Sequence, residues 1–198
     1  MAGGQSAGDA ASGRVAIAIA VVAVASIAAL VVFYTVGGPF GSINDAGNGL
    51  IGILSGLLAI LLHGRTGTWP GVVAALAGAA VAVGGSWLVM TGTTGFVLAG
   101  FVSTIGFGLI GVWLALIAWP AASARWSSRV RMVARVGSAS MVIGGIAAVP
   151  GALMGIDGFE ALPPGLWLFS LGWLGTYLLY PIWSFAFGRM LTRCTIKT

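Results

Sequence analysis

Charge is what this chain has least of. Only 7% of its 198 residues are Asp, Glu, Lys or Arg, where a soluble domain carries about a quarter. Histidine occurs once, as His63, and cysteine once, as Cys194. A single histidine excludes a haem held by two axial histidines of this chain, and it excludes a His-rich zinc site. A single cysteine excludes an internal disulfide or a Cys-x-x-Cys redox pair. Neither a P-loop nor a dinucleotide-binding glycine fingerprint occurs. Gly52-Ile53-Leu54-Ser55-Gly56 places a serine among glycines, but not at the spacing of an intramembrane serine protease, and His63 lies two turns further on. No enzymatic chemistry and no cofactor are expected.

What the chain has in abundance is apolar surface. Hydrophobic residues make up 59% of it and the mean hydropathy is +1.06. A crossing of the ~30 Å hydrocarbon core needs about 20 such residues. Six runs qualify, at about 15–36, 43–62, 71–90, 96–119, 131–149 and 164–187. Gly37-Gly38-Pro39, Trp69-Pro70-Gly71, Trp119-Pro120, Pro150-Gly151 and Pro163-Pro164 separate them, each disfavouring a continuing helix. The expected fold class is an all-α integral membrane protein, a bundle of six transmembrane helices over 14–190. A flexible tail is expected at 1–13 and a second tail at 191–198.

The few charges orient the bundle. Arg14, Arg65, Arg125, Arg129, Arg131, Arg135, Arg189, Arg193 and Lys197 all fall on one side of a six-crossing chain, joined by Asp9. Asp45, Asp157 and Glu160 fall on the other. The positive-inside rule makes the basic side cytoplasmic, with both termini there. The net charge of +5 is therefore a topology signal rather than a sign of nucleic-acid binding. Trp69, Trp119, Trp126 and Trp183 map to the cytoplasmic interface, and Trp87 and Trp167 to the outer one. Trp113 and Trp173 fit neither, and Trp173 needs a hydrogen-bond partner or a ligand inside the bundle. Ala23-Val24-Ala25 resembles a signal-peptide cleavage site, but the apolar run continues through Val32, so an uncleaved signal anchor is expected. Eight Arg to one Lys, with Ala, Gly and Val dominating the helices, points to a bacterial plasma (inner) membrane.

Thirty-three glycines supply close helix packing, since helices in lipid gain little from burying apolar surface against each other. Gly52 and Gly56 form a GxxxG pair, read as intramolecular packing ahead of a dimer face.

The run at 43–62 is the most informative. Its apolar part, Leu50–Leu62, spans 13 residues and about 20 Å. The helix is therefore re-entrant, or it draws Asn44, Asp45 and Asn48 into the outer leaflet. Two readings of these residues compete. Ser42-x-x-Asp45 resembles a capping box, with an acid in the first turn to suit the helix dipole. Alternatively, Asn44, Asp45 and Asn48 form a site for a cation or hydrogen-bonding solute, because polar residues inside membranes tend to be functional. The run at 131–149 is also short and glycine-broken, a faint echo of an inverted-repeat transporter. Pro181 should free the Tyr177 carbonyl and kink the last helix.

Arg125, Arg129, Arg131 and Arg135 form a cytoplasmic cluster suited to anionic lipid headgroups. The bilayer is the first partner, a membrane protein or a second copy of the chain is another, and nucleic acid is not expected. Two functions follow. One is a structural, accessory or lipid-interacting membrane protein, supported by the lack of ionisable groups at the bilayer centre. The other is a small-solute or lipid-like transporter or channel using the polar end of the second helix. An enzyme at the outer face would need Asp45, Asp157 and Glu160 to converge. Geometry separates the first two: a polar cavity reaching inward from Asp45 and Asn48 favours transport, and a dry interior with Asp45 capping its own helix favours the accessory role.

Overall fold

The computed structural model describes residues 2–66, 69–119, 123 and 126–195. The described residues form helices joined by turns, with no strand among them. They form α1 (Ala2–Val36), α2 (Phe40–Thr66), α3 (Trp69–Met90), α4 (Phe96–Ala118) and α5 (Ser128–Leu153). After 3-10 turns at Phe159–Ala161 and Pro164–Phe169 come α6 (Ser170–Leu174), a π-turn (Gly175–Leu179) and α7 (Tyr180–Thr195). Five helices, α1 to α5, are long and apolar enough to cross a membrane. The last three pieces share right-handed backbone angles at their junctions and make a sixth helical path, Ser170 to Thr195.

Each helix packs on its neighbours in sequence, and α7 returns to α1, so the bundle closes as a ring. One end carries the loops around Pro39, Thr93 and Asp157, and is called here the acidic end. The other carries Arg14, Arg129, Arg131 and Arg189, and is called the basic end.

Several boundaries differ from the sequence expectation. Helix α1 begins at Ala2 rather than near residue 15. Around Gly13 it packs on α7: a methyl there would meet Thr192 Cγ2 at 2.8 Å and the Gly188 carbonyl at 3.0 Å. Helix α7 in turn runs to Thr195, past the expected tail boundary at 191, with Leu191 buried. Helix α5 starts at Ser128, where Ser127 Oγ caps it by accepting from the Val130 N–H at 3.3 Å. It then passes through Pro150 to Leu153. The proline leaves one carbonyl of the preceding turn without its usual donor, but Met154 N–H still reaches the Pro150 carbonyl at 2.9 Å and closes the helix.

Glycines set the interhelical distances. A methyl on Gly78 would lie 2.5 Å from the Gly106 carbonyl oxygen, between α3 and α4. One on Gly108 would lie 2.9 Å from Gly145 Cα, between α4 and α5. One on Gly144 would overlap the backbone of Gly172 in α6. The GxxxG pair faces inward, Gly52 against Ala79 and Ala82, and Gly56 against Leu76, all on α3. It serves packing within the chain.

Helix α4, the most enclosed span, is held by charge at both ends. Its N-cap, Gly95, has no side chain to offer. Asp157, from the loop after α5, takes that role: Oδ2 accepts from Gly95 N–H at 2.6 Å and Oδ1 from Leu98 N–H at 3.1 Å. At the other end the Arg135 guanidinium donates to the Ala118 carbonyl at 3.1 Å and the Trp119 carbonyl at 3.4 Å, and lies over the Trp119 ring. Anion at the N-terminus and cation at the C-terminus both match the helix dipole. Asp157→Ala is expected to lower stability by about 1 kcal/mol, the usual worth of an N-cap. Thermal unfolding in detergent measures this, with Asp157→Ser as the variant that restores part of the loss.

Candidate functional site

The ring leaves a cavity in its acidic half. Helix α1 contributes Leu30 and Tyr34, α2 contributes Asp45 and Asn48, and α3 contributes Gly85 and Val89. Helix α4 presents Phe96, Ser103, Thr104 and Phe107. The sixth path adds Trp173, Thr176 and Tyr177. The volume is about 70 Å³, which holds roughly five waters at ~10–15 Å³ of centre space each.

Helix α2 delivers the polar groups because of its true start. At 27 residues it is about 40 Å long, so its polar end is part of a full-length helix rather than of a re-entrant one. Ile43 N–H already bonds to the Pro39 carbonyl at 3.2 Å. Ser42 is thus inside the helix, and the expected Ser42–Asp45 capping box does not form. Asp45 sits in the second turn. Asn44, Asn48, Ile51, Ser55 and Leu58 recur at helical spacing along one buried stripe. Asn44, Asp45 and Asn48 are 1%, 8% and 7% exposed.

Their hydrogen bonds are sparse. Asn44 Nδ2 donates to Asp45 Oδ1 at 3.4 Å, the long edge of the range, and Asn44 Oδ1 is buried with no protein partner. Across the bundle, the Tyr177 hydroxyl donates to Asn48 Oδ1 at 2.8 Å. Thr176 Oγ1 is buried with no protein partner. Two turns deeper the Tyr180 hydroxyl donates to Ser55 Oγ at 2.8 Å, and Ser55 Oγ donates to the Ile51 carbonyl at 2.7 Å. Below that lies a plug of rings. Tyr180 stacks on Trp183 at 5.6 Å and Trp183 on Phe187 at 4.9 Å, with Trp113 edge-on to Trp183 at 6.2 Å. Trp126 packs on Phe187 at 5.0 Å.

The π-turn aims Thr176 and Tyr177. Pro181 has no N–H, so the turn before it cannot close in the usual α pattern. Tyr180 N–H instead bonds to the Gly175 carbonyl, five residues back. One extra residue is accommodated there, and both side chains of that turn line the cavity. The kink expected from Pro181 is this π-turn, a feature that recurs at functional sites.

No family model, curated protein or solved structure matches the chain. The site must therefore be read from its own chemistry.

The other candidates divide. Asp157 is engaged at α4, and Glu160 is exposed on its 3-10 turn. Among the described residues Asp45, Asp157 and Glu160 make no joint cluster with metal-binding geometry. Of the lipid cluster, Arg125 lies outside the described residues. Arg129 is exposed and Arg131 half-buried. Arg135 already serves the α4 carbonyls. Trp126 and Trp183, placed at the interface by sequence, belong to the aromatic plug, and Trp183 is fully buried. Trp173 is half-buried and lines the cavity, the ligand-facing alternative weighed for it. Sequence reasoning missed Tyr34, Ser103, Thr104, Phe107 and Thr176.

Proposed function

We propose that the chain is a bacterial plasma-membrane protein of six crossings that binds a small solute in the outer half of its bundle, as a transporter or channel does. One observation carries this reading: Asp45 and Asn48, the polar residues of α2, line a cavity reaching to Phe107, at the middle of α4. Orientation follows from the positive-inside rule, which puts the basic end, and with it both termini, in the cytoplasm. The sixth crossing is the path from Ser170 to Thr195. The aromatic plug fills the cytoplasmic half and separates the cavity from that side. No enzymatic role is proposed.

A second reading, that of an accessory or lipid-interacting protein, draws on the glycine-to-glycine contacts that fix the helices, and on Arg129 and Arg131 at the basic end. It leaves the buried, weakly bonded Asp45 without a use.

The test is chemical access. In a Cys194→Ser background, Ser103→Cys places a thiol on the cavity wall and Met141→Cys places one in the fully buried core. Methyl methanethiosulfonate, small and neutral, is expected to modify the first and not the second, read by intact-protein mass. Equal resistance of both would remove the solute-binding reading.

A further inference from the structure

Resting on that solute-binding reading, we propose that the cavity takes a compact organic cation, an alkylammonium whose nitrogen sits against Asp45 and whose carbons lie among the aromatic rings. Three features carry this. Among the described residues Asp45 is the only Asp, Glu, Lys, Arg or His on the cavity wall, and every Arg of the described bundle lies towards the basic end. A carboxylate buried with one long hydrogen bond, from Asn44, has poor internal compensation. A bound cation supplies the missing charge.

The rings set the kind of cation. Tyr34, Phe96, Phe107, Trp173 and Tyr177 all face the space, and ring faces attract an ammonium that spreads its charge over neighbouring carbons. A hard divalent ion instead wants six or more oxygens with carboxylates prominent among them, and among the described residues this wall carries one carboxylate. The remaining polar atoms suit an ammonium too. Asn48 Oδ1 accepts from Tyr177, and Thr176 Oγ1, 2% exposed as a residue, has no protein partner. The size, about five waters, admits a cation such as choline.

The experiment is equilibrium binding of radiolabelled choline to the purified full chain in detergent. Competitors are 3,3-dimethylbutan-1-ol, its neutral carbon isostere, and sodium chloride. Choline is expected to bind saturably, with the isostere at least about tenfold weaker. Asp45→Asn, nearly the same shape, is expected to abolish the preference for the cation. Trp173→Leu, at a half-buried wall position, is expected to weaken choline several-fold while the protein still elutes as a single folded species. Equal competition by the isostere overturns the proposal, as does displacement of choline by sodium at equal concentration. Absence of choline binding while Ser103→Cys still reacts overturns the cation and spares the cavity. Absence of both removes the solute-binding reading itself.

Discussion

Gly144→Val is expected to leave no assembled bundle. A side chain at Gly144 would overlap the backbone N and Cα of Gly172 and meet the Phe169 carbonyl oxygen at 2.9 Å. Backbone cannot swing aside as a flexible side chain does, so α5 and α6 would have to separate. Separation carries the π-turn away with them, because Gly175 packs on Met141 and Gly137 of α5. Overpacking in a close-fitting core costs 1–3 kcal/mol and more when backbone must move, so a loss above about 3 kcal/mol is expected. Size-exclusion chromatography and thermal unfolding of the detergent-solubilised protein measure it. Gly84→Val is the control: it makes the same change inside a helix, yet a methyl at Gly84 meets nothing within 4 Å. That variant should elute and unfold like the parent. If both variants behave alike, the glycine contacts are not what spaces the helices.

Trp183→Ala is the second large effect. Trp183 is fully buried, stacked between Tyr180 and Phe187 and met edge-on by Trp113. Truncating such a ring costs about 3–5 kcal/mol, through lost contacts and the space left behind. The space would open directly below Tyr180, whose hydroxyl bonds to Ser55 on the α2 stripe. Two readouts are therefore expected to move together: the unfolding temperature falls, and proteoliposomes carrying the variant leak small solutes that the parent retains. Trp183→Phe should recover most of the seal. A destabilised variant that stays tight would mean that the basic half is closed by something other than this aromatic stack.

Much of this architecture was written in hydropathy. Apolar runs near 20 residues bounded by Gly and Pro marked the five long helices and their order, and the charge asymmetry distinguished a basic end from an acidic one. The polar end of α2 stood out for a physical reason: three polar side chains at 44, 45 and 48 in an apolar setting have few energetic excuses. What stayed hidden depended on tertiary contact. Thr104 reads as a residue bonded to its own helix, and it is, through the Gly100 carbonyl at 2.7 Å. Only its position opposite Trp173 and Asp45 makes it part of a wall. Thr176 and Tyr177 owe their aim to a π-turn, and Pro181 signals a disturbance without saying whether it becomes a kink or an extra residue in the turn. Pro150 shows the converse, since its ring is tolerated inside α5 where the pattern predicted an end. Asp157 reads in the sequence only as one of three acids on the outer side, because the N-terminus that it caps lies about sixty positions away in the chain.

Side-resolved modification of Ser103→Cys, in the Cys194→Ser background, tests the central claim most directly. A membrane-impermeant trimethylammonium methanethiosulfonate is applied to right-side-out and to inside-out vesicles. The cavity described here is expected to admit it rapidly from the outer face, with choline slowing the reaction, and to refuse it from the cytoplasmic face, where the Trp183 stack intervenes. Equal rates from both faces, or faster modification from the cytoplasm, would contradict the account.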